Sequence, residues 1–291
     1  MQTVGIVSPG AMGSAVGAAL TRGGARVVVT VEGRSARTRR LAETAGLTLL
    51  PTLGEVVANA DVVLSIAPPE AARAIARALV GAARQVKARP LVADLNAISP
   101  ETAHVVAEEL ADAGLELVDG SISGPPPWKP GTRIYVSGPR AEEVAALPLT
   151  GVDRIVVGTA IGSASAVKMS TASVYKGTSA LLAHALVAAR ANGVLDHVLD
   201  DLRAGSPELV RHVERRLASA ASKSGRYVGE MAEIAATQAA AGLTPALFRA
   251  MGEVYEALSA SELGRSAPED VPSDVSLEQV LEKLTQGQED R

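Results

Sequence analysis

The stretch Gly5-Ile6-Val7-Ser8-Pro9-Gly10-Ala11-Met12-Gly13 decides the fold. An apolar run is followed by small residues, and after them comes a segment whose apolar residues recur at the spacing of an α-helix. Small residues let the backbone approach a pyrophosphate, and the free N–H groups at the start of the helix receive its charge. Gly10 and Gly13 meet this demand, although Ser8 stands where the first glycine of the G-x-G-x-x-G pattern is expected. We therefore predict a dinucleotide-binding turn with contacts from Gly10, Ala11 and Met12.

Short runs rich in β-branched residues alternate with longer helix-period segments through the first half of the chain. This alternation is typical of βαβ units and a parallel sheet. The predicted strands are Thr3–Val7, Arg26–Val31, Leu47–Leu50, Asp61–Ile66, Pro90–Leu95 and Glu116–Val118, with edge strands at Arg133–Val136 and Arg154–Val157. The predicted helices are Ala11–Arg22, Ala36–Ala45, Ala71–Val86 and Pro100–Ala113. We expect a doubly wound α/β Rossmann domain over residues 1–158.

The composition and periodicity of the sequence change after Gly158, where β-branched runs are replaced by Ala, Leu, Glu and Arg at helical spacing. Helix breaks are expected at Asn192-Gly193, at residues 205–207, at Ser224-Gly225 and at residues 242–245. This pattern predicts an all-helical domain of five or six helices over residues 159–285. A polar tail, residues 286–291, is expected to be frayed.

The junction after the second strand selects the cofactor. It reads Glu32-Gly33-Arg34-Ser35, followed by further arginines. An acid at this place holds the ribose diol of NAD, whereas arginine and hydroxyl donors suit the 2′-phosphate of NADP. Gly33, Arg34 and Ser35 therefore predict NADP(H), and Glu32 keeps NAD(H) as the less favoured alternative.

Two further loops follow predicted strands at their C-terminal ends, where ligands of open α/β sheets bind. Ala67 and Pro68 lie in the first loop, and Asn96 lies in the second. We predict cofactor contacts from all three residues, with Asn96 near the nicotinamide. Ordinary turn chemistry is the alternative explanation for Asn96.

Composition excludes several classes of function. The net charge of −4 and an aromatic content of 2% do not suit a nucleic-acid-binding protein. The absence of cysteine excludes disulfides and thiolate metal sites, and it fits a reducing cytoplasm. The four histidines are scattered without ligand spacing, so no metal site is predicted. No membrane-spanning segment is expected either.

Along nearly its whole length, the sequence resembles the β-hydroxyacid dehydrogenase superfamily, which includes 6-phosphogluconate and 3-hydroxyisobutyrate dehydrogenases and, more distantly, imine reductases. The resemblance rests on the Gly10-Ala11-Met12-Gly13 turn, on Gly33-Arg34-Ser35, and on the segments 94–100, 119–124 and 158–168. The second half resembles a branch with a divergent 6-phosphogluconate-dehydrogenase-like helical domain, through runs such as Tyr175-Lys176-Gly177-Thr178 and residues 225–234.

The resemblance implies that Lys168, at the start of a long interdomain helix, is the general acid/base. A lysine suits this role because hydride transfer at a carbinol carbon leaves a proton to be moved. Members of the superfamily usually carry an asparagine one helical turn later, but this chain has Ala172 there. Tyr175 and Lys176, about two turns beyond Lys168, are the predicted replacements in substrate binding.

The substrate loop also departs from the superfamily pattern Asp-Ala-Pro-Val-Ser-Gly-Gly. Here it reads Asp119-Gly120-Ser121-Ile122-Ser123-Gly124, followed by three prolines. Prolines have no N–H, so a substrate carboxylate would keep backbone donors only at Ser123 and Gly124. These two residues are the predicted substrate contacts of the loop.

The sequence thus predicts an NADP(H)-dependent oxidoreductase acting on a small polar substrate, a β-hydroxy acid or a related carbonyl compound. The alternatives are an imine reductase and a non-catalytic dinucleotide-binding protein. The resemblance further implies a homodimer formed through the long helix from about Gly162 to Ala191.

Overall fold

The computed structural model describes residues 2–267, 270–271 and 274–286. Of the predicted frayed tail, only Gln286 lies within these ranges. The chain divides into two compact units, Met1–Met169 and Ser170–Arg291.

The first unit is built on one sheet of eight strands. These are β1 (Thr3–Val7), β2 (Arg26–Thr30), β3 (Thr48–Leu50), β4 (Val62–Ser65), β5 (Leu91–Asp94), β6 (Leu117–Ser123), β7 (Thr132–Ser137) and β8 (Val152–Gly158). Their order is β3-β2-β1-β4-β5-β6-β7-β8, and only the β6–β7 pair is antiparallel. Chain order reverses between β1 and β4, which is the switch point of a doubly wound fold. The predicted Rossmann architecture is confirmed.

Helices cover both faces of this sheet. They are α1 (Ala11–Arg22), α2 (Ala36–Thr44), α3 (Leu53–Asn59), α4 (Ala72–Val86), α5 (Pro100–Ala111) and α6 (Ala141–Ala145). Neighbouring strand residues alternate between two apolar layers: Leu64 packs in one layer and Val63 in the other. Burial of the strands on both faces explains their continuous apolar runs.

Two elements of this unit differ from the sequence-based prediction. Helix α3 was not predicted, because only Val56 and Val57 of its seven residues are buried and no period is visible. Strand β6 was predicted to end at Val118 but continues to Ser123, since its polar residues Asp119 and Ser121 are fully buried. The extension places Ser123 at the carboxyl end of the strand.

The helical half begins with α7 (Ser163–Ala191), which confirms the predicted long helix. The helices that follow are α8 (Leu195–Gly205), α9 (Pro207–Val210), α10 (Val213–Ala221), α11 (Ser224–Ala240), α12 (Ala246–Ser259), α13 (Glu262–Arg265) and α14 (Leu277–Thr285). The predicted five or six helices are thus too few, because short segments such as α9 and α13 show no period. The break predicted at Ser224-Gly225 lies two residues earlier, between α10 and α11.

The predicted domain boundary follows Gly158, whereas the two units divide between Met169 and Ser170, inside α7. The physical reason is that the first turns of α7 bond to strand β6: the Ser121 hydroxyl donates to the carbonyl of Ala164 at 3.0 Å. In the described part of the chain, no helix is long and apolar enough to cross a bilayer.

Candidate dinucleotide and catalytic site

The turn after β1 leaves the start of helix α1 without a side-chain cap. Gly10 is the N-cap residue, and no side chain accepts from the first-turn N–H groups. Gly13 is required for close packing, because a Cβ there would lie 2.5 Å from the carbonyl oxygen of Ser8. An uncapped helix start with a close-packed turn has the donors that a pyrophosphate needs. The residues present therefore fit a dinucleotide.

Ser8 adopts a backbone conformation that is usually reserved for glycine. Its φ angle is +64°, in the left-handed region, which costs a residue with a Cβ on the order of 1 kcal/mol. This explains why the G-x-G-x-x-G pattern places a glycine here. The retained serine adds a hydroxyl to the turn, and the Arg34 guanidinium donates to its Oγ at 2.7 Å. The sequence identified Ser8 as a departure from the pattern but did not reveal this contact.

The junction after β2 presents Arg34 at the N-terminus of helix α2. Gly33 has a φ of +66°, which turns the chain toward the helix. Ser35 caps α2 by accepting from the backbone N–H of Thr38 at 3.3 Å. Arg34 and Ser35 are both exposed. The structure thus brings two predicted cofactor residues, Arg34 and Ser35, to the same sheet edge as the glycine turn.

Asn96 is buried, and its side chain holds the neighbouring loop. Its Oδ1 accepts from the backbone N–H of Ala67 at 2.6 Å. Its Nδ2 donates to the hydroxyl of Ser65 at 3.0 Å and to the carboxyl of Asp94 at 2.8 Å. Only 2% of the residue is exposed. The hydrogen bonds of this buried amide hold in place the loop that contains Ala67 and Pro68.

Asp94 ends strand β5 beneath this loop and is buried. Burial raises the pKa of Asp94 to about 7, because removal of solvent disfavours the charged form. The hydrogen bond from the Asn96 backbone opposes this rise, as does the Ser65 hydroxyl, whereas the nearby Asp119 adds to it. This titrating group was not predicted from the sequence.

Lys168 lies on the first part of helix α7, against the end of strand β6. Its Nζ donates to the carbonyl oxygen of Ile122 at 2.7 Å, and the side chain is half-buried. Ser123 and Gly124 follow Ile122 directly, so the predicted acid/base and the predicted substrate loop are adjacent. This edge is formed by the carboxyl ends of β1, β4, β5 and β6, where the cofactor turn also lies.

The other two predicted substrate residues belong to the second unit. Tyr175 is 71% exposed. The ammonium of Lys176 pairs with the buried carboxylate of Glu230 and lies 4.4 Å from the ring centre of Tyr227. The hydroxyl of Tyr255 donates to the Lys176 carbonyl at 2.7 Å. The first two contacts hold the Lys176 side chain within the helical unit, and the third engages its backbone carbonyl. The predicted role of Lys176 in substrate binding stays a prediction.

Within the described ranges, no cluster of three or more His, Cys, Asp and Glu side chains could hold a metal ion.

Two family models match the chain. Residues 3–149 match the NAD binding domain of 6-phosphogluconate dehydrogenase, and residues 189–258 match a domain of unknown function, DUF1932. The first match covers the cofactor turn and the loops after β4 and β5 that contain Ala67 and Asn96. An NAD(P)-binding domain is thus indicated without a choice between NAD and NADP.

Two similar proteins have no assigned function. An uncharacterized 28.5 kDa protein of Methanothermus fervidus is 28% identical over 176 residues, which is 60% of this chain and 66% of that protein, just under two thirds of its length. A conserved protein of unknown function, described as structurally similar to 3-hydroxyacid dehydrogenases, is 30% identical with a TM-score of 0.67; the match covers 88% of this chain and 96% of that one.

The fold is also that of a characterised enzyme. The structure of Mycobacterium tuberculosis 3-hydroxyisobutyrate dehydrogenase with L-serine matches at a TM-score of 0.70 and 21% identity, over 98% of this chain and 99% of that one. The chain thus shares its fold with a dehydrogenase, and its first half matches a dinucleotide-binding family model. The chain belongs to the β-hydroxyacid dehydrogenase superfamily.

Proposed function

We propose that this protein is an NADP(H)-dependent oxidoreductase that transfers a hydride to or from a small polar substrate, a β-hydroxy acid or a related carbonyl compound, with Lys168 as the general acid/base. The observation that carries the proposal is the position of the Lys168 ammonium, 2.7 Å from the Ile122 carbonyl and beside Ser123 and Gly124. This is the one edge of the sheet where the dinucleotide turn also lies.

The bound nicotinamide would supply or accept the hydride. Lys168 then moves the proton at the substrate oxygen: the neutral amine takes it from an alcohol, and the ammonium returns it to a carbonyl. The bond to Ile122 fixes the direction of one N–H and so orients the amine. Ser123 and Gly124 bind the polar end of the substrate, because the prolines after them have no N–H to donate.

NADP(H) is favoured over NAD(H) by the arginine at the second junction. Arg34 already bonds to Ser8 on the cofactor turn, so its guanidinium lies between the turn and the start of helix α2. A guanidinium there, with the Ser35 hydroxyl, provides charge-assisted donors that only a 2′-phosphate uses.

Arg34→Ala is expected to weaken NADPH binding by about 10- to 30-fold, roughly 1.4–2 kcal/mol, and to leave NADH binding nearly unchanged. Isothermal titration with both cofactors measures this difference. Arg26→Ala is the matched control, since Arg26 is exposed at the opposite end of β2. An equal loss for both cofactors would contradict the NADP assignment.

Imine reduction is the second candidate, favoured by the loop prolines and by Ala172, which is 4% exposed and has no polar group to offer a substrate. Lys168 weighs against it, because a substrate that arrives as a protonated iminium needs no proton from the enzyme. Parallel assays of NADPH oxidation with short β-keto acids and with cyclic imines separate the two reactions.

We further propose that the protein is a homodimer formed through helix α7. In the second unit this helix exposes Val174 at 64% and Leu181 at 63%, seven residues apart and so on one face. Exposed apolar side chains at such spacing are typical of an interaction surface.

Leu181→Asp is expected to raise the dissociation constant of the dimer at least tenfold, because a charge would be buried without a partner. Analytical ultracentrifugation across micromolar concentrations measures it. Asn192→Asp adds the same charge beyond the end of the helix and serves as control. A wild-type chain that sediments as a monomer would exclude the dimer.

A further inference from the structure

The carboxylate of Asp119 is the most densely bonded buried group at the site. Its Oδ2 accepts from the backbone N–H groups of Ala164 at 3.0 Å and Ser165 at 3.1 Å, and from the hydroxyl of Ser137 at 2.8 Å. Its Oδ1 accepts from the hydroxyl of Ser165 at 2.5 Å. The residue is fully buried. Asp119 therefore binds the first turn of helix α7 to the middle of strand β6.

A carboxylate is the side chain best suited to this contact. The first N–H groups of a helix have no partners within the helix, and the helix dipole favours a negative charge beside them. A carboxylate also has acceptor sites for all of the donors that surround it, with no donor of its own to satisfy. An amide of the same shape would direct an N–H toward one of these donors.

The contact lies one helical turn from the proposed acid/base. Ala164 and Lys168 are four residues apart on α7, and Asp119 and Ile122 are three residues apart on β6. The same strand thus holds the start of the helix through Asp119 and the lysine through the Ile122 carbonyl. Displacement of the first turn would move the ammonium away from that carbonyl.

We propose that Asp119 is a positioning residue, whose carboxylate holds the first turn of α7 on strand β6 and thereby keeps the ammonium of Lys168 beside Ser123 and Gly124. The catalytic part of this inference rests on the proposed function. The positional part can be tested without a substrate.

The test is limited acetylation of the full-length protein, with the modification of Lys168 followed by mass spectrometry. Asp119→Asn is expected to raise the labelling rate of Lys168 at least fivefold, while Lys283 in the second unit labels as in wild type. Val106→Ala, a truncation on α5 in the apolar layer that also contains Leu117, destabilises the unit without removing a hydrogen-bond partner of Asp119. It is expected to leave the labelling rate of Lys168 within twofold of wild type.

An unchanged labelling rate in folded Asp119→Asn would overturn the inference, and so would an equal rise in Val106→Ala. If Asp119→Asn does not fold, Ser165→Ala replaces it, because this variant removes only the bond to Oδ1. It is expected to raise the labelling rate about twofold, and no rise would again overturn the inference.

The catalytic part is tested by a double-mutant cycle on kcat, with NADP+ and 3-hydroxyisobutyrate as the probe substrate. Asp119→Asn is expected to lower kcat 10- to 100-fold in the wild-type background and by less than twofold in the Lys168→Ala background. Equal losses in both backgrounds would show that Asp119 does not act through the lysine. A Lys168→Ala variant with wild-type kcat would refute the acid/base role instead, and the labelling result would still decide the position of Lys168.

Discussion

Replacing Lys168 with alanine is expected to lower kcat by a factor of about 10²–10⁴, the usual contribution of a positioned acid/base. The fold and the affinity for NADPH should be nearly unchanged, because the turn at Gly10 and the arginine at position 34 remain. Steady-state kinetics with NADP+ and a panel of short β-hydroxy acids measures the effect, and calorimetry checks cofactor binding.

Lys168→Arg should not restore this activity, since a guanidinium does not give up its proton near neutral pH. Lys283→Ala is the control, because this lysine forms an ion pair with Glu262 in the second unit. A Lys168→Ala variant within threefold of wild-type kcat would exclude the lysine as acid/base. It would favour chemistry in which no proton is taken from or given to the substrate by the protein.

The free energy of unfolding is expected to fall as pH rises from about 5 to about 8, and the expected fall due to Asp94 alone is about 2–3 kcal/mol. The pKa of Asp94 is about 7 in the folded protein, against an ordinary value of 3.8. Between these values the folded state binds more protons than the unfolded state. The stabilisation is therefore complete below the ordinary value and is lost as pH rises through about 7.

Urea denaturation of wild type and Asp94→Asn at several pH values isolates this contribution. Asparagine keeps the shape of the side chain and cannot titrate. The variant should therefore lose the part of the pH dependence that is due to Asp94, even if its free energy of unfolding differs from that of wild type by a constant amount at every pH. Asp153→Asn, at a carboxyl group that is 74% exposed, should keep the wild-type dependence. Identical pH profiles for wild type and Asp94→Asn would show that Asp94 titrates equally in both states.

The sequence was sufficient to predict the parallel sheet, because buried parallel strands consist of uninterrupted runs rich in β-branched residues. It was not sufficient for the end of strand β6. There the buried residues are Asp119 and Ser121. Polar side chains predict a loop unless their hydrogen-bond partners on α7 and β7 are known. The residues that bind the start of helix α7 could not be identified from the sequence for the same reason.

Part of the candidate site follows from local backbone geometry, and part depends on which partners the side chains take. The turn at Gly10 and the junction at Gly33 follow from local conformation and lie at the same edge of the sheet; their contacts with a cofactor stay a prediction. Lys176 was assigned to substrate from helical spacing alone, yet Glu230, 54 residues later in the chain, occupies its ammonium. No local pattern encodes such a long-range pair.

The left-handed serine at position 8 has a consequence for redesign. Glycine there would release backbone strain on the order of 1 kcal/mol, but it would also raise the conformational entropy of the unfolded chain and remove the hydroxyl that accepts from Arg34. Under the proposed NADP(H) assignment, Ser8 keeps this hydroxyl at the expense of backbone strain. Ser8→Gly is then expected to relax the turn and to weaken the proposed preference for NADPH.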